Sequence, residues 1–398
     1  MNDRTTRVRK FLLPIILTGQ ILIVPVIFNS CFRKGIDRDQ KDNFTNLRDA
    51  YEDYFTIGTA LSTRTLDDSM AIVRVKEQFN SITAENSMKW EKIHPDPGIY
   101  NFTNSDRFVE FGVENHMEIV GHVLVWHSQT PGWVFRDADG NLTSRDTLLS
   151  RMRDHIQTVM GRYKDRIKIW DVVNEAIDDN AQFRQNIWAQ IVGEDYVQKA
   201  FEYARDVDPE AVLIYNDYSL PTPAKRDAVV KLVSGLKEKG VKVDAIGLQA
   251  HYHLDYPELS ELEQAIIAFS KIGCKVHITE LDINVLPNPF EENAGADVRL
   301  NFKYDAKWNP WPDSLPDSMQ TVLADRYVSF FEIFMRHRDV VDRVTFWGVQ
   351  DGTSWLNFWP IFGRTNYPLL FDRNYQPKKA FRALLELPEE QNDKERIK

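Results

Sequence analysis

The chain has 398 residues, of which 43% are hydrophobic and 27% are charged, and these ordinary globular values favour a sizeable core and argue against global disorder. Its formal net charge of −10 argues against a nucleic-acid partner, because phosphate binding requires a basic surface. With only two cysteines, Cys31 and Cys274, a disulfide framework does not stabilise the protein. Cys274 lies in an apolar stretch and is predicted to be a small buried side chain.

The N-terminus has the composition of an export signal. Four basic side chains in the first ten residues precede an apolar run from Phe11 to Phe28, which is typical of a secretory signal peptide. The run ends in the string FNSC, with Ser30 before Cys31. This ending resembles a bacterial lipoprotein signal, in which the cysteine is lipidated and becomes the new N-terminus. The alternative is a cysteine that happens to follow a signal or anchor helix.

The composition of the chain predicts four segments. Residues 1–30 are predicted to be a lipoprotein-type signal peptide, residues 31–46 a flexible polar tether, residues 47–390 the folded domain, and residues 391–398 a polar tail. Both interpretations of Cys31 place the domain outside the cytoplasm. We expect it to be lipid-anchored at the bacterial cell surface or in the periplasm, with secretion as the alternative, and to contact a membrane only through the anchor.

From about Tyr51 onward, short apolar runs alternate with longer amphipathic runs. The short runs are rich in β-branched and aromatic residues, which is typical of strands. Eight strands are predicted, at residues 54–61, 80–86, 118–127, 167–175, 211–218, 245–252, 275–282 and 343–351. Helical patterns lie between them, for example at 148–163, 196–208, 224–240 and 261–273, with Gly240 and Gly273 where helix C-caps are expected. Eight strand–helix units with near-continuous apolar strands favour an α/β fold, a single (β/α)8 TIM barrel.

One long insert, residues 286–320, follows the seventh predicted strand. It is too polar and proline-rich to form part of a barrel wall, and long loops in compact domains are commonly functional. Its Trp308 and Trp311 are candidates either for stacking on a sugar or for simple packing within the loop.

Polar and aromatic side chains are concentrated at the carboxyl ends of the second to the eighth predicted strands. In a (β/α)8 barrel these ends meet at one rim, where catalytic groups lie. The side chains at this rim are Glu85, Asn86, Lys89, His122, Trp126, His127, Gln129, Asn174, Glu175, Asn216, Asp217, Tyr218, Gln249, His251, Tyr252, Glu280, Asp282, Trp347, Gln350, Asp351 and Trp355. The histidines among them lack a metal-ligand spacing such as HExxH, so no metal is predicted.

Two acids at this rim, Glu175 and Glu280, end the fourth and seventh predicted strands, which lie across the barrel mouth from one another. Hydrolysis of a glycosidic bond needs such a pair, one acid to protonate the leaving oxygen and one carboxylate to act at the anomeric carbon. A separation of about 5–5.5 Å gives retention of configuration and about 6.5–9.5 Å gives inversion. Glu175 and Glu280 are therefore the predicted catalytic residues, and the spacing leaves both outcomes open.

Five strings, in this order along the chain, resemble those of glycoside hydrolase family 10, the endo-β-1,4-xylanases: ITAENSMKW, GHVLVWHSQTPGW, WDVVNEA, ITELD and VTFWGVQDGTSW. The similarity runs from about Tyr51 to Leu387, and Val123 departs from it where the family often has a hydroxyl residue. It implies a retaining endo-xylanase that acts on xylan or xylo-oligosaccharides through a covalent glycosyl-enzyme and needs no cofactor. By this resemblance Glu175 matches the general acid/base and Glu280 the nucleophile.

The resemblance also implies which side chains bind the substrate. Those that match the site of the sugar two positions before the cut are Glu85, Asn86 and Lys89, and those around the sugar being cleaved are His122, Trp126 and Gln129. Asn174 matches the partner of the sugar 2-hydroxyl, Gln249 and His251 match the support of the two carboxylates, and Trp347 and Trp355 match an indole wall. Tyr218 is a further expected cleft residue.

The residues themselves leave two alternative functions open. The same machinery could act on another β-1,4-glycan, such as cellulose or mixed-linkage glucan, although Lys89 and the tryptophan wall should crowd a C6 hydroxymethyl group that xylose lacks. The chain could instead be a non-catalytic glycan-binding protein on a barrel scaffold. The presence of both Glu175 and Glu280 argues against that second alternative.

Overall fold

Parallel strands form the wall of a closed barrel. The structure is a computed structural model that describes residues 45–289 and 301–396, with side chains up to Gln391. The strands are β1 (Thr56–Leu61), β2 (Ser81–Ala84), β3 (Glu118–Gly121), β4 (Val125–Trp126), β5 (Ile169–Asn174), β6 (Val212–Asp217), β7 (Ala245–Leu248), β8 (His251–His253), β9 (Lys275–Asn284) and β10 (Val341–Phe346). Pairing runs in parallel through β1, β2, β3, β5, β6, β7, β9 and β10, and β10 pairs with β1 to close the sheet. The predicted (β/α)8 fold is therefore confirmed.

Two of the eight wall positions consist of two strand pieces each. After a short gap β4 continues the line of β3 and pairs with β5, and β8 continues β7 and pairs with β9. The sequence pattern predicts a single strand at each position. The gaps contain His122 and Gln249, both of which are buried and both of which line the site described below.

Helices lie between the wall strands and cover them, which explains why the strands are apolar along almost their whole length. In the described part of the chain the α-helices are α1 (Leu47–Ala50), α2 (Thr63–Asp67), α3 (Ser69–Gln78), α4 (Trp90–Ile93), α5 (Thr103–Glu114), α6 (Arg145–Tyr163), α7 (Ile187–Val192), α8 (Tyr196–Val207), α9 (Pro223–Glu238), α10 (Leu259–Lys271), α11 (Asp317–Arg336) and α12 (Lys379–Arg396). Short 3-10 helices occur at Gly132–Phe135, Ala306–Trp308, Asp351–Thr353 and Trp355–Asn357. The helices predicted from the amphipathic runs are found as α6, α8, α9 and α10.

The predicted C-cap glycines have the backbone geometry that the position requires. Gly240 and Gly273 have φ angles of +76° and +71°, a region that is easily reached only without a Cβ atom. The residue after Gly240 donates its N–H to Leu236 O at 3.0 Å, and the residue after Gly273 donates to Phe269 O at 3.2 Å. Each helix therefore ends in a Schellman motif, which satisfies carbonyl groups that the helix leaves unpaired.

Two wall glycines allow close approach between neighbouring strands. A Cβ atom on Gly121 would lie 2.2 Å from the ring of Trp170, its neighbour on β5, and one on Gly247 would lie 2.3 Å from the side chain of Asn216 on β6. Both larger side chains are buried. The glycine on β7 thus provides the space in which Asn216 lies, and Asn216 connects the two acids of the site.

The chain ends bear on several sequence predictions. The predicted signal peptide, Cys31 and most of the tether lie outside the described residues. Asn46, the last residue of the predicted tether, caps α1 by accepting a hydrogen bond from Asp49 N at 2.9 Å. At the other end α12 runs to Arg396, within the segment predicted to be a polar tail. None of the helices in the described ranges is long and apolar enough to cross a membrane.

The insert after β9 is partly described. Residues 290–300 lie outside the described ranges, and the last residues of the insert already belong to α11. Trp311 packs against the core, and its carbonyl oxygen accepts a hydrogen bond from Tyr367 Oη at 2.8 Å. The ammonium group of Lys307 lies 4.8 Å from the ring centre of Trp308. Of the two uses considered for Trp311, the structure therefore favours packing within the loop.

Candidate active site

A cavity of about 180 Å³ opens at the carboxyl ends of the barrel strands. Thirteen of the fourteen side chains predicted as catalytic or substrate-binding line it, and only Tyr218 does not. The lining residues are Glu85, Asn86, Lys89, His122, Trp126, Gln129, Asn174, Glu175, Gln249, His251, Glu280, Trp347 and Trp355. Neither Trp308 nor Trp311 is among them. The barrel thus brings together side chains that are widely separated along the chain.

The two acids of the cavity are connected through a pair of asparagine side chains. Glu175 directly follows β5 and Glu280 lies within β9, and each is only 5% exposed. Asn216 Nδ2 donates to Glu280 Oε1 at 2.7 Å and to Asn174 Oδ1 at 3.0 Å. Asn174 Nδ2 in turn donates to Glu175 Oε1 at 3.1 Å. Because Thr279 Oγ1 donates to Asn216 Oδ1 at 2.7 Å, the orientation of this amide is fixed.

Glu175 occupies a site that favours its protonated form. Burial, together with the nearby charge of Asp217, raises the pKa of Glu175 from 4.5 to about 7. Hydrogen bonds from Gln249 Nε2 to Oε1 at 3.1 Å and from Trp126 Nε1 to Oε2 at 2.9 Å act in the opposite direction. The carboxyl group can therefore keep its proton near neutral pH, which is the property a general acid needs.

Glu280 occupies a site that favours its ionised form. Burial alone would raise the pKa of Glu280, but the hydrogen bond from His251, together with the charge of His122, holds it below its ordinary value. Burial also disfavours charge on His251, yet the carboxylate of Asp282 raises the pKa of His251 to about 10. The charged imidazole donates from Nδ1 to Asp282 Oδ1 at 3.0 Å and from Nε2 to Glu280 Oε2 at 3.1 Å. Glu280 is thus held as an anion aligned by two donors, one from His251 and one from Asn216.

A polar cluster from the second and third wall positions forms one side of the cavity. Lys89 Nζ donates to Gln129 Oε1 at 2.8 Å and to Asn86 Oδ1 at 3.1 Å, and Asn86 Nδ2 donates to Glu85 Oε1 at 3.1 Å. Burial lowers the pKa of Lys89 and raises the pKa of Glu85. These side chains satisfy one another, so a sugar hydroxyl would meet donors and acceptors that are already oriented.

Indole rings form the remaining walls. Trp355 Nε1 donates to Asp282 Oδ2 at 2.7 Å. Asp282 is the residue that raises the pKa of His251. Trp347 packs edge-on against His122 and His251, with ring centres 5.4 and 6.2 Å apart. His122 is itself oriented by a bond of 2.8 Å between its Nδ1 and Asp171 Oδ2. The apolar ring faces therefore stand in fixed positions beside the acids.

Tyr218 is buried behind the cavity and does not line it. Its hydroxyl accepts a hydrogen bond from Arg184 Nη2 at 2.7 Å, and the ammonium group of Lys225 lies 3.4 Å from its ring centre. Arg184 also donates from Nε to the carbonyl oxygen of Glu175 at 3.0 Å. In this structure Tyr218 therefore supports the backbone that carries Glu175.

A second and larger cavity, of about 600 Å³, adjoins the first and shares Glu85, Asn86 and Trp355 with it. We call it the distal chamber. Its lining residues are Ser62, Thr63, Arg64, Glu85, Asn86, Ser87, Lys92, Asn104, Asn301, Gly352, Thr353, Trp355, Phe358 and Trp359. Three of these, Ser62 to Arg64, directly follow β1, the one wall strand whose end carries no predicted site residue. The polar string STR at that strand end was the available signal.

Several side chains that orient the acids were not predicted as part of the site. Asn216 and Asp282 were recognised as rim residues, but their bonds to Glu280 and His251 connect strands that only the fold brings together. Asp171 could have been recognised from the sequence, because it lies in the middle of an apolar strand and a buried acid needs a partner. In the structure that partner is His122. In the described residues there is no group of three or more His, Cys, Asp or Glu side chains placed to hold a metal ion.

Known proteins resemble this chain in sequence and in fold. Residues 46–387 match the family model of Glycosyl hydrolase family 10. The chain is 45% identical over 349 residues to endo-1,4-beta-xylanase A of Xylanibacter ruminicola, covering 87% of this chain and 94% of that protein. It is 39% identical over 343 residues to an endo-1,4-beta-xylanase of Geobacillus stearothermophilus, covering 84% and 96%. A solved GH10 endoxylanase from a sugarcane soil metagenome is similar in fold, with a TM-score of 0.83, 46% identity, and coverage of 86% of this chain and 99% of that one.

Proposed function

Since this chain belongs to glycosyl hydrolase family 10, we propose that it is an endo-1,4-β-xylanase that hydrolyses internal bonds of xylan with retention of configuration. The observation that carries the proposal is the pairing of two buried carboxyl groups with opposite pKa shifts in one cavity. The pKa of Glu175 is raised to about 7 and that of Glu280 is lowered. Two carboxyl groups held in different protonation states can serve as acid and nucleophile at the same pH.

In the first step, Glu280 attacks the anomeric carbon of the bound sugar while the bond to the leaving oxygen breaks. Glu175 gives its proton to that oxygen, so the leaving sugar departs as a neutral alcohol and Glu175 becomes a carboxylate. The product of the step is a covalent ester between Glu280 and the sugar. In this mechanism Asn174, which bonds to Glu175 and lines the same cavity, binds the sugar 2-hydroxyl.

In the second step, a water molecule replaces the departed sugar. The carboxylate of Glu175 takes a proton from this water, whose oxygen attacks the anomeric carbon and displaces Glu280. Glu280 leaves as a carboxylate, and the donors from His251 and Asn216 stabilise its returning charge. Two successive displacements at one carbon restore the original configuration, and both acids regain their starting protonation states.

The choice of xylan rests on the relatives and on the shape of the cavity. The similar proteins of known activity are named as endo-1,4-beta-xylanases. The ammonium group of Lys89 lies 4.9 Å from the ring centre of Trp126, and both side chains line the cavity together with Trp355. A C6 hydroxymethyl group, which xylose lacks, would need additional space in a cavity that these side chains already line.

Removal of each acid in turn tests the mechanism. We expect Glu280→Ala to lower kcat/KM on an aryl xylobioside by at least about 10⁴-fold, because no other group forms the ester. Glu175→Ala should cost about 10²–10⁴-fold with a poor leaving group and much less in the first step with dinitrophenolate, which departs without a proton. The control is Glu110→Ala, which removes an exposed acid on α5.

Two results would contradict the mechanism. Hydrolysis by Glu280→Ala at the wild-type rate would show that Glu280 is not the nucleophile. Release of the α-anomer as first product in an NMR time course would show inversion. The substrate is tested separately by comparing turnover of xylan with that of carboxymethyl cellulose. A preference for the cellulose derivative would exclude xylan as the principal substrate while leaving the roles of the acids intact.

We further propose that the enzyme is exported and anchored to a bacterial membrane through lipid on Cys31. The support is the order of a basic head, an apolar run and the string FNSC in residues 1–31. Radiolabelled palmitate should enter the wild-type protein and be absent from Cys31→Ala, which should also be lost from the membrane fraction. Absence of label from the wild type would contradict lipidation and favour a secreted protein, whereas unchanged membrane retention of the variant would favour an uncleaved anchor.

A further inference from the structure

The exposed aromatic side chains of the described residues come from only two chain segments. They are Phe302 and Tyr304 in the insert after β9, and Phe358 and Phe362 in the loop after β10. The two segments lie side by side, since Phe302 N donates to Pro360 O at 2.8 Å. Scattered apolar side chains on a surface need no explanation, but aromatic rings gathered at one place do.

The loop that carries Phe358 and Phe362 is firmly held. Leu356 and Ile361 of the same loop are 3% and 0% exposed. Asn357 Nδ2 donates to Asp351 O at 2.7 Å and to Ser354 O at 3.0 Å. The backbone carbonyl oxygen of Asn357 accepts a hydrogen bond from Gly363 N at 3.0 Å. The loop therefore has its own buried anchor, yet Phe358 is 47% exposed and Phe362 73% exposed.

This aromatic surface continues the wall of the cleft. Trp355 lines both the catalytic cavity and the distal chamber, and it stacks on Trp359 with ring centres 4.7 Å apart and planes inclined by 18°. Phe358 also lines the distal chamber, and its ring centre lies 5.6 Å from that of Phe362. Aromatic rings thus occur in the catalytic cavity (Trp355), in the chamber (Trp359 and Phe358) and on the exposed surface (Phe362).

We propose that Phe358 and Phe362, which we call the aromatic ledge, form an accessory binding surface for the part of a polymeric xylan chain that extends beyond the distal chamber. The inference rests on the proposed function, because it takes the polymer from that proposal. A pyranose ring has an apolar face of C–H groups, and an aromatic ring removes such a face from water without requiring a polar partner. A neutral sugar chain fits a surface that is itself uncharged and apolar.

The position of the ledge favours a sugar chain over a lipid surface. A membrane that buried Phe362 would also cover the adjoining Phe358 and Trp359, which line the chamber, and would obstruct the route to the catalytic cavity. A polymer lying on the same rings leads directly into that route. The ledge contacts the substrate far from the reacting bond, so it contributes equally to ground-state and transition-state binding and should affect KM rather than kcat.

The test compares Phe362→Ala and the double variant with Phe358→Ala on a long and a short substrate. For the double variant we expect kcat/KM on polymeric xylan to fall roughly three- to tenfold through KM, the loss of about one ring contact. For Phe362→Ala, hydrolysis of an aryl xylobioside, which is too short to reach this ring, should not change. Phe362→Trp should retain activity on the polymer, and the matched control truncates the exposed aliphatic residues Ile267 and Val322 on α10 and α11.

A second readout separates binding from turnover. Adsorption to insoluble xylan is measured for Glu280→Ala with and without the two ledge substitutions, and the ledge variant should adsorb less. The proposal is overturned if polymer and xylobioside kinetics change together, if the polymer kinetics do not change, or if the variant loses binding to phospholipid vesicles or self-association and not to xylan. If the wild type hydrolyses no xyloside at all, the proposed function is wrong. The adsorption assay then shows separately whether the ledge binds xylan.

Discussion

We expect Glu175 to make the folded protein less stable as the pH rises from 4.5 to about 7. In the unfolded chain its carboxyl group ionises near 4.5, whereas in the native state the pKa of Glu175 is about 7. Between these values the native state binds a proton that the unfolded state has released, so the free energy of unfolding falls with rising pH. The difference corresponds to about 3 kcal/mol, at about 1.4 kcal/mol for each tenfold change in proton affinity. The loss is complete above pH 7.

The perturbation is Glu175→Gln, which removes the titrating group and keeps the shape of the side chain. An amide at this position leaves one of the donors from Trp126, Asn174 and Gln249 without an acceptor, but this cost does not depend on pH. Urea unfolding of both proteins, followed by tryptophan fluorescence at intervals from pH 4.5 to 8.5, gives the difference in unfolding free energy. We expect the wild type to lose about 3 kcal/mol relative to the variant across this range.

Glu280→Gln is the matched control, because the shift at Glu280 has the opposite sign. A lowered pKa contributes stability that is fully present above the unfolded value of 4.5 and is lost as the pH falls through the native value. The difference between the wild type and Glu280→Gln should therefore stay constant from pH 5 to 8.5. If the Glu175→Gln difference is also constant there, Glu175 ionises at its ordinary pKa, and the argument from burial to a protonated acid is wrong.

The remaining predictions concern activity and packing. We expect kcat/KM on unactivated xylosides to fall as the pH rises through about 7, where Glu175 loses its proton. On the acid side it should fall only below 4.5, where Glu280 gains a proton. A pH profile centred elsewhere would exclude Glu175 as the acid and Glu280 as the nucleophile. Gly247→Ala places a Cβ atom 2.3 Å from the side chain of Asn216, so we expect a loss of about 1–3 kcal/mol in stability from overpacking together with a lower kcat. Thermal melts and xylobioside kinetics check this against Gly235→Ala, a helical glycine with open space around it, which should be neutral or slightly stabilising.

The fold and most of the cavity could be predicted from the sequence because both rest on local patterns. Strand-length apolar runs that alternate with amphipathic runs indicate the barrel, and the barrel places every strand end at one rim. Glu175 and Glu280 line the same cavity as a direct consequence. The gaps between β3 and β4 and between β7 and β8 were not predicted, since each contains a single polar residue, His122 or Gln249, within a run that otherwise has the composition of a strand.

Side-chain direction is the property that the sequence pattern did not determine. Tyr218 directly follows β6 at the rim, as Glu175 follows β5, yet it does not line the cavity, and Arg184 and Lys225 contact its hydroxyl and its ring. Neither of those residues belongs to a strand end. The exposure of Phe358 and Phe362 was likewise unpredicted, since the string NFWPIFG has the apolar composition of a buried segment and only the fold shows which side chains of the loop face inward.

The backbone at Glu175 explains how two consecutive residues come to line one cavity. Side chains alternate between the two faces of a strand, so Asn174 and Glu175 should point in opposite directions, yet both contact the same space. Glu175 has a φ angle of +60°, a left-handed conformation that costs a non-glycine residue about 1–3 kcal/mol and ends the alternation at that residue. Bonds on each side of the residue hold this conformation, from Glu175 N to Asn216 O at 2.9 Å and from Arg184 Nε to Glu175 O at 3.0 Å. The barrel therefore stabilises a strained residue at the position where the proposed chemistry requires the acid and the amide to lie side by side.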